Sequence, residues 1–552
     1  MTHPSTAHIQ PAWPTFAALT AAHAQQHPDA LALIEQGREM NWAEFEQQTL
    51  RATRWLAEQG VGPGDRVAVW LANRWEWLVL LVALARRGAC LVTVNTRYRS
   101  SELHYILEKS GACMLIYEPS FHHIDFAQVL AGVDLAGLPA LRTLALLRAP
   151  AEVPATGPGG RRQLRCAFES LAPLAEDLSD ADAPMMLFTT SGTTKGPKLV
   201  THTQRTLLRH TARVARAYAF DQPGARLLAV IPFCGVFGFN AAFAALYARA
   251  ELVVTAVFEV REALALIERH QITHLYGSDD MGHRLQEALL QPGEGTQPAS
   301  SSSSPLPSLR RFGFASFVSS AEDFGIPARE QGLPVIGLYG SSEVQALFSM
   351  QDEDQAIDQV VKGGGRPAGD TAIQLRVRDR DTGQLLPDGE AGELEIRADS
   401  NFVGYLNDPD ATAAAFTDDG FFRTGDLAYL RGDGSFVYLA RLGDAMRLGG
   451  FLVSPVEIES QLMALPDVAS AQVVEVRLDG KPACAAFVIP AAGAAPEAVA
   501  LRDQLRPRLA AFKLPVRIWV VSEFPVTQGA NGTKVQRAAL RQMAAERLAA
   551  GG

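Results

Sequence analysis

The chain has 552 residues, enough for more than one hydrophobic core, and its 47% hydrophobic and 20% charged content is that of an ordinary globular protein. A formal net charge of −10 argues against a general nucleic-acid binder, which carries a basic excess. The five cysteines (Cys90, Cys113, Cys166, Cys234 and Cys484) are scattered, giving neither a zinc spacing nor a disulfide framework and fitting a reducing cytoplasm. Met1-Thr2-His3-Pro4 opens no basic stretch followed by an apolar run, so no signal peptide is expected. The most apolar run, Trp77 to Ala85, stops at Arg86-Arg87 and is too short to span a bilayer. A soluble, cytoplasmic protein without a transmembrane segment is expected.

Residues 15–120 alternate between helical and strand patterns. Trp42-Ala43-Glu44-Phe45 opens an amphipathic helix that runs towards Glu58 and is ended by Gly60 and the Gly62-Pro63-Gly64-Asp65 turn. Residues 67–71, 91–94 and 114–117 read as strands, and 75–86 and 101–110 as helices. Such alternation predicts a parallel sheet covered by helices. Residues 150–183, with their Pro, Gly, Asp and Glu, read as a loosely ordered approach to the next element. That element is a buried strand over 184–188, followed by Thr189-Thr190-Ser191-Gly192-Thr193-Thr194-Lys195-Gly196-Pro197-Lys198. Its glycines bring backbone N–H groups close to a ligand, forming an anion-binding nest to which hydroxyl and ammonium donors add. A polyphosphate suits it; the plain alternative is a solvated loop. The G-x-x-x-x-G-K-[ST] spacing of a Walker loop is missing.

Residues 204–219 read as a helix and 227–231 as a strand leading into Pro232-Phe233-Cys234-Gly235-Val236-Phe237-Gly238. Residues 239–247, apolar with many small side chains, read first as a core helix. The low-complexity stretch 291–308 predicts a flexible surface insertion without assigned function. Strands are expected over 312–318 and 335–338, the second delivering Tyr339-Gly340-Ser341-Ser342-Glu343. Residues 371–440 look all-β, with strands at 373–377, 394–397, 427–430 and 436–439 between Gly/Asp turns. Beyond Asp444 a small α/β unit is expected: helices over 456–465 and 501–511, strands over 471–478, 483–489 and 516–521.

Taken together, these segments resemble the adenylate-forming superfamily: acyl-CoA synthetases, peptide-synthetase adenylation domains and firefly-type luciferases. The loop at 189–198 matches T-S-G-T-T-G-x-P-K-G, with Lys195 and Leu199 replacing two glycines and stiffening the tip. Asn95-Thr96-Arg97-Tyr98-Arg99 with Glu102-Leu103 resembles the corresponding, more structural region of acyl-CoA synthetases. Pro232 to Gly238 matches P-x-F-H-x-x-G, with Gly235 at the histidine position. Tyr339 to Glu343 matches Y-G-x-T-E, Phe421 to Asp426 lies on W-x-x-T-G-D with Phe422 near the tryptophan position, and Ala440-Arg441-Leu442-Gly443-Asp444 on G-R-x-x-D. Arg447 stands where lysine is common, Gly449 to Glu459 completes that pattern, and Asn531-Gly532-Thr533-Lys534 keeps the glycine-borne lysine of a stretched P-x-T-x-x-G-K loop.

The resemblance implies an α/β fold. A large N-terminal domain (1–442) would hold parallel-sheet α/β subdomains plus a β-rich subdomain, and a small, mobile α+β C-terminal domain (443–552) the catalytic lysine. Thr190, Ser191, Gly192, Thr193, Thr194 and Lys198 would hold the phosphates of ATP. Tyr339 would stack on adenine with Gly340 and Ser341 beside it, Ser342 would bond the α-phosphate, and Glu343 would hold Mg²⁺. Asp426 would accept the ribose hydroxyls, Arg441 would contact the ribose and phosphate side, Asp444 would be the hinge, and Lys534 the catalyst. Gly235 and Phe239 would border the acyl pocket, its wall formed by the apolar 239–247 helix.

The activity so implied is that of an acyl-CoA synthetase, joining a carboxylic acid to coenzyme A through acyl-AMP. Gly235 and the alanines favour a medium- or long-chain fatty or other hydrophobic acid over an amino acid, with aryl and dicarboxylic acids open. A stand-alone enzyme loading an acyl or aryl acid onto a carrier protein is the alternative, though no carrier domain follows Gly552. A luciferase-like oxidase shares the first step, and a non-catalytic module would be expected to lose Lys534 or Glu343. A homodimer is compatible with the pattern; a nucleic-acid partner is not expected.

Overall fold

The computed structural model describes residues 10–122, 124–189, 197–290, 304–316, 321–369, 372–448, 451–478, 481–529 and 532–549. One sheet is built on parallel strands in the spatial order Pro184–Thr189, Cys90–Thr93, Arg66–Trp70, Met114–Tyr117, Thr143–Leu146 and Arg162–Arg165. Their apolar runs, such as Met114–Tyr117 with every residue buried, are what a sheet covered on both faces requires. The last of these strands corrects the expectation that residues 150–183 are merely loose: Arg162–Arg165 extends the sheet edge. At the other edge Leu199–Thr203 runs antiparallel to Pro184–Thr189 and is itself joined by Gly404–Tyr405.

A second sheet has a parallel centre, Glu251–Val254, Arg226–Ala229, His274–Ser278, Arg311–Ala315 and Val335–Ser341. From Val335–Ser341 it turns antiparallel through Gln345–Met350, Gly364–Pro367, Phe436–Arg441, Phe422–Leu430, Gly392–Arg397 and Gln374–Arg378. Residues 371–440 are therefore β-rich but not all-β. Helix Pro409–Ala415 interrupts them, with Pro409 in its first turn and the Asp408 side chain accepting from Ala411 N.

The predicted helix at 75–86 and strand at 114–117 appear at those bounds. The helix expected over 501–511 is shorter, Ala498–Leu505, followed by a 3₁₀ turn at Ala511–Lys513. Two C-terminal elements were not anticipated: the hairpin Val526–Gly529 with Gly532–Val535, and the helix Arg537–Ala549. The N-terminal core runs from Phe16 to Phe436, whereas two clusters, one around Met446, Ile458 and Leu501 and one around Phe487 and Leu540, lie wholly in the C-terminal part. Residues 291–303 of the expected insertion, and Phe317 and Val318 of the expected strand, lie outside the described residues. Among the described residues no helix is long and apolar enough to cross a membrane.

Candidate active site

Strand Val335–Ser341 carries Tyr339 and Gly340 to the sheet's end, and the chain reverses through Ser342–Val344 into Gln345–Met350. The reversal is tight. A Cβ on Gly340 would lie 2.6 Å from Ala346 Cα, so only glycine fits. Gln345 and Leu347 take φ of 70° and 60°, conformations that cost side-chain-bearing residues about 1–3 kcal/mol each. A buried network holds them there. Gln345 Nε2 donates to the Thr206 and Ser400 carbonyls, its Oε1 accepts from Asn240 Nδ2, and Asn240 Oδ1 accepts from Ala346 N. The Ser341 hydroxyl accepts from Glu343 N at 3.2 Å and so caps the turn.

Two buried histidines brace the same reversal from helix Gln204–Ala217 and the strand before it. His202 Nε2 donates to the Ser342 carbonyl at 2.8 Å, and His210 Nε2 to the Ala346 carbonyl at 2.7 Å. A carbonyl only accepts, so both rings carry the proton on Nε2. Burial pushes their pKa values down to about 4 and about 3, and both are neutral at physiological pH.

Tyr339 Oη donates to Asp426 Oδ2 at 2.6 Å. Asp426 faces Arg441 because the two are direct partners across neighbouring strands, and Arg441 Nη1 lies 3.1 Å from Asp426 Oδ1 without an aligned hydrogen bond. Burial pushes the Asp426 carboxyl up, while Arg441 and Tyr339 pull it down. With Oδ1 still able to accept, the 1% exposed carboxylate fits a ligand presenting hydroxyls, such as a ribose. Tyr339 is nearly buried, edge-on to Phe436 and tilted against Tyr438.

Glu343 is half-buried, and its Oε1 accepts a 3.0 Å hydrogen bond from Tyr405 Oη. The Tyr405 ring in turn carries Lys198 Nζ 4.3 Å from its centroid. Among the described residues no group of three His, Cys, Asp or Glu side chains could hold a metal. Glu343 therefore fits Mg²⁺ only as one carboxylate ligand beside phosphate oxygens and water, an arrangement magnesium accepts.

Lys534, on the C-terminal hairpin, comes within electrostatic reach of Arg441. Burial, then the nearby Arg441 charge, lowers its pKa to about 8. Asp444, where the two parts of the chain meet, is clasped by the Arg541 guanidinium of the C-terminal helix, and its N–H donates to the Arg441 carbonyl at 2.9 Å. Tyr339, Glu343, Asp426, Arg441 and Lys534 are thus linked to one another by contact or charge.

The central phosphate-loop candidates Thr190, Ser191, Gly192, Thr193 and Thr194 lie outside the described residues, as do Gly449 and Gly450. The loop's two ends are held by one neighbouring segment: Tyr98 Oη donates to Thr189 Oγ1 and Tyr105 Oη to the Pro197 carbonyl. Gly235 is the buried N-cap of helix Val236–Ala248, where its φ of −97° is open to any residue. Phe239 is fully buried, stacked on Phe243 and edge-on to Phe188 and Phe16, so its visible role is packing. Sequence reasoning passed over His202, Asn240, Gln345 and Tyr405. The first three reveal themselves only through backbone partners far away in sequence, and Tyr405 sits in a two-residue strand too short for any periodicity.

Residues 20–406 match the AMP-binding enzyme family, and residues 457–531 match its C-terminal domain. The chain belongs to the AMP-binding enzyme family. It is an adenylate-forming enzyme of the acyl-CoA synthetase type, an AMP-forming acid–thiol ligase. Among relatives in this family is the 3-[(3aS,4S,7aS)-7a-methyl-1,5-dioxo-octahydro-1H-inden-4-yl]propanoyl:CoA ligase of Mycobacterium tuberculosis, 33% identical with 94% of this chain and 97% of that protein covered. The sulfoacetate–CoA ligase of Cupriavidus necator is 30% identical over 95% of this chain and 96% of its own. The crystal structure of ATP-bound MatB from Rhodopseudomonas palustris has a TM-score of 0.78 and 27% identity, with 96% and 98% of the two chains covered. Family members this similar act on a fused-ring propanoate and on a small sulfonate, so membership gives the reaction and not the acid.

Proposed function

We propose that the protein activates a hydrophobic carboxylic acid with ATP, giving acyl-AMP and pyrophosphate, and then passes the acyl group to the thiol of coenzyme A. The observation that carries this reading is the convergence of Lys534, from the C-terminal hairpin, with Arg441 and Asp426, from the antiparallel part of the large sheet. Asp426 would accept the ribose hydroxyls, and Tyr339 would keep that carboxylate oriented. Arg441 and Lys534 would supply positive charge where a carboxylate meets a phosphate, and preorganised charge of this kind is the main lever for such a reaction. Lys198, with the loop before it, would hold the phosphates, Ser342 the α-phosphate, and Glu343 a Mg²⁺. When bound, Mg²⁺ neutralises phosphate oxygens and orients them.

The same reading divides the chain after Leu442, which the separate clusters of apolar side chains beyond Met446 support. It takes Asp444 as the pivot about which the small domain turns between half-reactions. Gly235 is taken as a border of the acyl pocket, because an N-cap glycine where relatives often carry a ring leaves space for an aliphatic chain. The test is pyrophosphate release across acids of increasing chain length, with and without coenzyme A. Release that responds to hydrophobic acids, with a thioester formed only when coenzyme A is present, is the expected result. Adenylation without transfer to coenzyme A would instead point to a carrier protein as acceptor.

A further inference from the structure

Gly404–Tyr405 is a strand of two residues, yet it touches both halves of the nucleotide site. It pairs antiparallel with the strand leaving the phosphate loop, Val200 opposite Tyr405 and Thr201 opposite Gly404. Val403 N donates to the Thr201 carbonyl and Leu406 N to the Leu199 carbonyl, both at 2.9 Å. Just before it, Phe402 N donates to the Glu343 carbonyl at 2.8 Å. One short segment is therefore hydrogen-bonded to the exit of the phosphate loop and to the candidate metal ligand. Tyr405 itself is fixed from behind, its N–H donating to Thr412 Oγ1 at 2.9 Å.

The side chain repeats this connection. Tyr405 Oη donates to Glu343 Oε1 at 3.0 Å, and the ring face lies under Lys198 Nζ at 4.3 Å. A phenol can serve both at once, because its hydroxyl lies in the ring plane and a cation sits over the face. A lysine and a glutamate on either side of one ring attract each other; the ring gives the ammonium its own seat and the hydroxyl takes one carboxylate oxygen. The hydroxyl engages only Oε1 of Glu343.

We propose that Tyr405 is a positioning residue that sets the phosphate-loop lysine and the metal-binding carboxylate in register through two separable contacts. This rests on the roles given above to Lys198 and Glu343. The two contacts predict different losses. Tyr405→Phe keeps the ring under Lys198 and removes only the hydrogen bond to Glu343, whereas Tyr405→Leu removes both.

The experiment is calorimetric titration of the full-length protein with ATP, once with all divalent metal chelated and once with excess Mg²⁺, with no acid or coenzyme A present. For Tyr405→Phe, metal-free ATP affinity should stay within about twofold of the unsubstituted protein, while the gain on adding Mg²⁺ falls roughly tenfold, the scale of a hydrogen bond to a charged group. For Tyr405→Leu the metal-free affinity should fall as well, by roughly 2–30-fold, the range of a cation–π contact. An undiminished Mg²⁺ gain in Tyr405→Phe overturns the proposal. So does an equal metal-free loss in both variants together with a lowered melting temperature, which would make Tyr405 a packing residue only. Failure of the unsubstituted protein to bind ATP under either condition refutes adenylate formation itself, and this role with it.

Discussion

Tyr339 Oη donates a 2.6 Å hydrogen bond to Asp426 Oδ2 across 87 residues of sequence, so a buried carboxylate is oriented by the end of Val335–Ser341, a strand that is not adjacent to its own in the sheet. If Asp426 receives the ribose hydroxyls, it must be ionised to accept both. Burial raises its pKa, and Arg441 and Tyr339 oppose that rise. ATP affinity should therefore fall as pH drops towards the carboxyl's titration. Tyr339→Phe removes one of the two opposing groups, so the fall should begin at higher pH and the KM for ATP should rise about tenfold near neutrality. Initial-rate measurements of KM for ATP between acid and neutral pH check this. A Tyr339→Phe profile that overlays the unsubstituted one separates Asp426 from nucleotide binding.

Gly235 tests the acid pocket. Its φ of −97° accepts a side chain without backbone strain, so the consequence of a substitution is steric. Gly235→Trp should abolish activation of long or bulky acids while leaving acetate-sized ones within about threefold, since a ring that takes up pocket volume excludes the larger acids first. Chain-length profiles of pyrophosphate release give the answer, with the melting temperature monitored because Gly235 is buried. Equal loss on every acid would place the acyl chain elsewhere.

Much of the candidate site was legible because its residues cluster in short contiguous motifs. Tyr339 to Glu343 ends a strand that an apolar run announces, and Asp426 and Arg441 lie on strands with clear turns between them. What holds those motifs in place was not legible. His202 and His210 act on carbonyls more than a hundred residues away, and Gln345 sits at φ 70°, where only the folded network around Asn240 compensates the strain. Helix Pro409–Ala415 was missed inside a β-rich region although Asp408-Pro409 carries a helix-start signal. Its seven residues are too few for periodicity to outweigh the strands on either side.

Asp444 bears on how one active site serves two half-reactions. Its N–H donates to the Arg441 carbonyl at 2.9 Å and its carboxylate is clasped by Arg541, so substitution there has two distinct effects. Asp444→Pro removes the donor and fixes φ, stiffening the connection, while Asp444→Ala removes only the clasp. Asp444→Pro should slow thioester formation from supplied acyl-AMP at least tenfold more than it slows adenylation if the small domain must turn here for the second step alone. Asp444→Ala should affect the two steps alike. If the proline variant loses both half-reactions in the same proportion, the small domain does not turn at this residue.

Lys534 makes the sharpest prediction, because its environment makes its charge depend on pH. Bringing a carboxylate to a phosphate joins two anions, and one cation about 4 Å from them at an effective dielectric near 20 is worth roughly 4 kcal/mol before desolvation. Preorganised donors typically contribute about 10²–10³ in rate, so Lys534→Ala should lower adenylation by at least that factor. Conversion of supplied acyl-AMP and coenzyme A to thioester, which needs no cation at that junction, should persist. The ammonium's pKa is lowered to about 8 by burial and by Arg441. The charged form is therefore complete below that pH and lost above it, and kcat/KM for adenylation should fall as pH rises through about 8. Lys534→Arg keeps a cation that does not titrate in this range, so its lower activity should be flat across the same interval. A persistent alkaline fall in Lys534→Arg would assign that titration to another group, and undiminished pyrophosphate release by Lys534→Ala would show that a different residue supplies the charge.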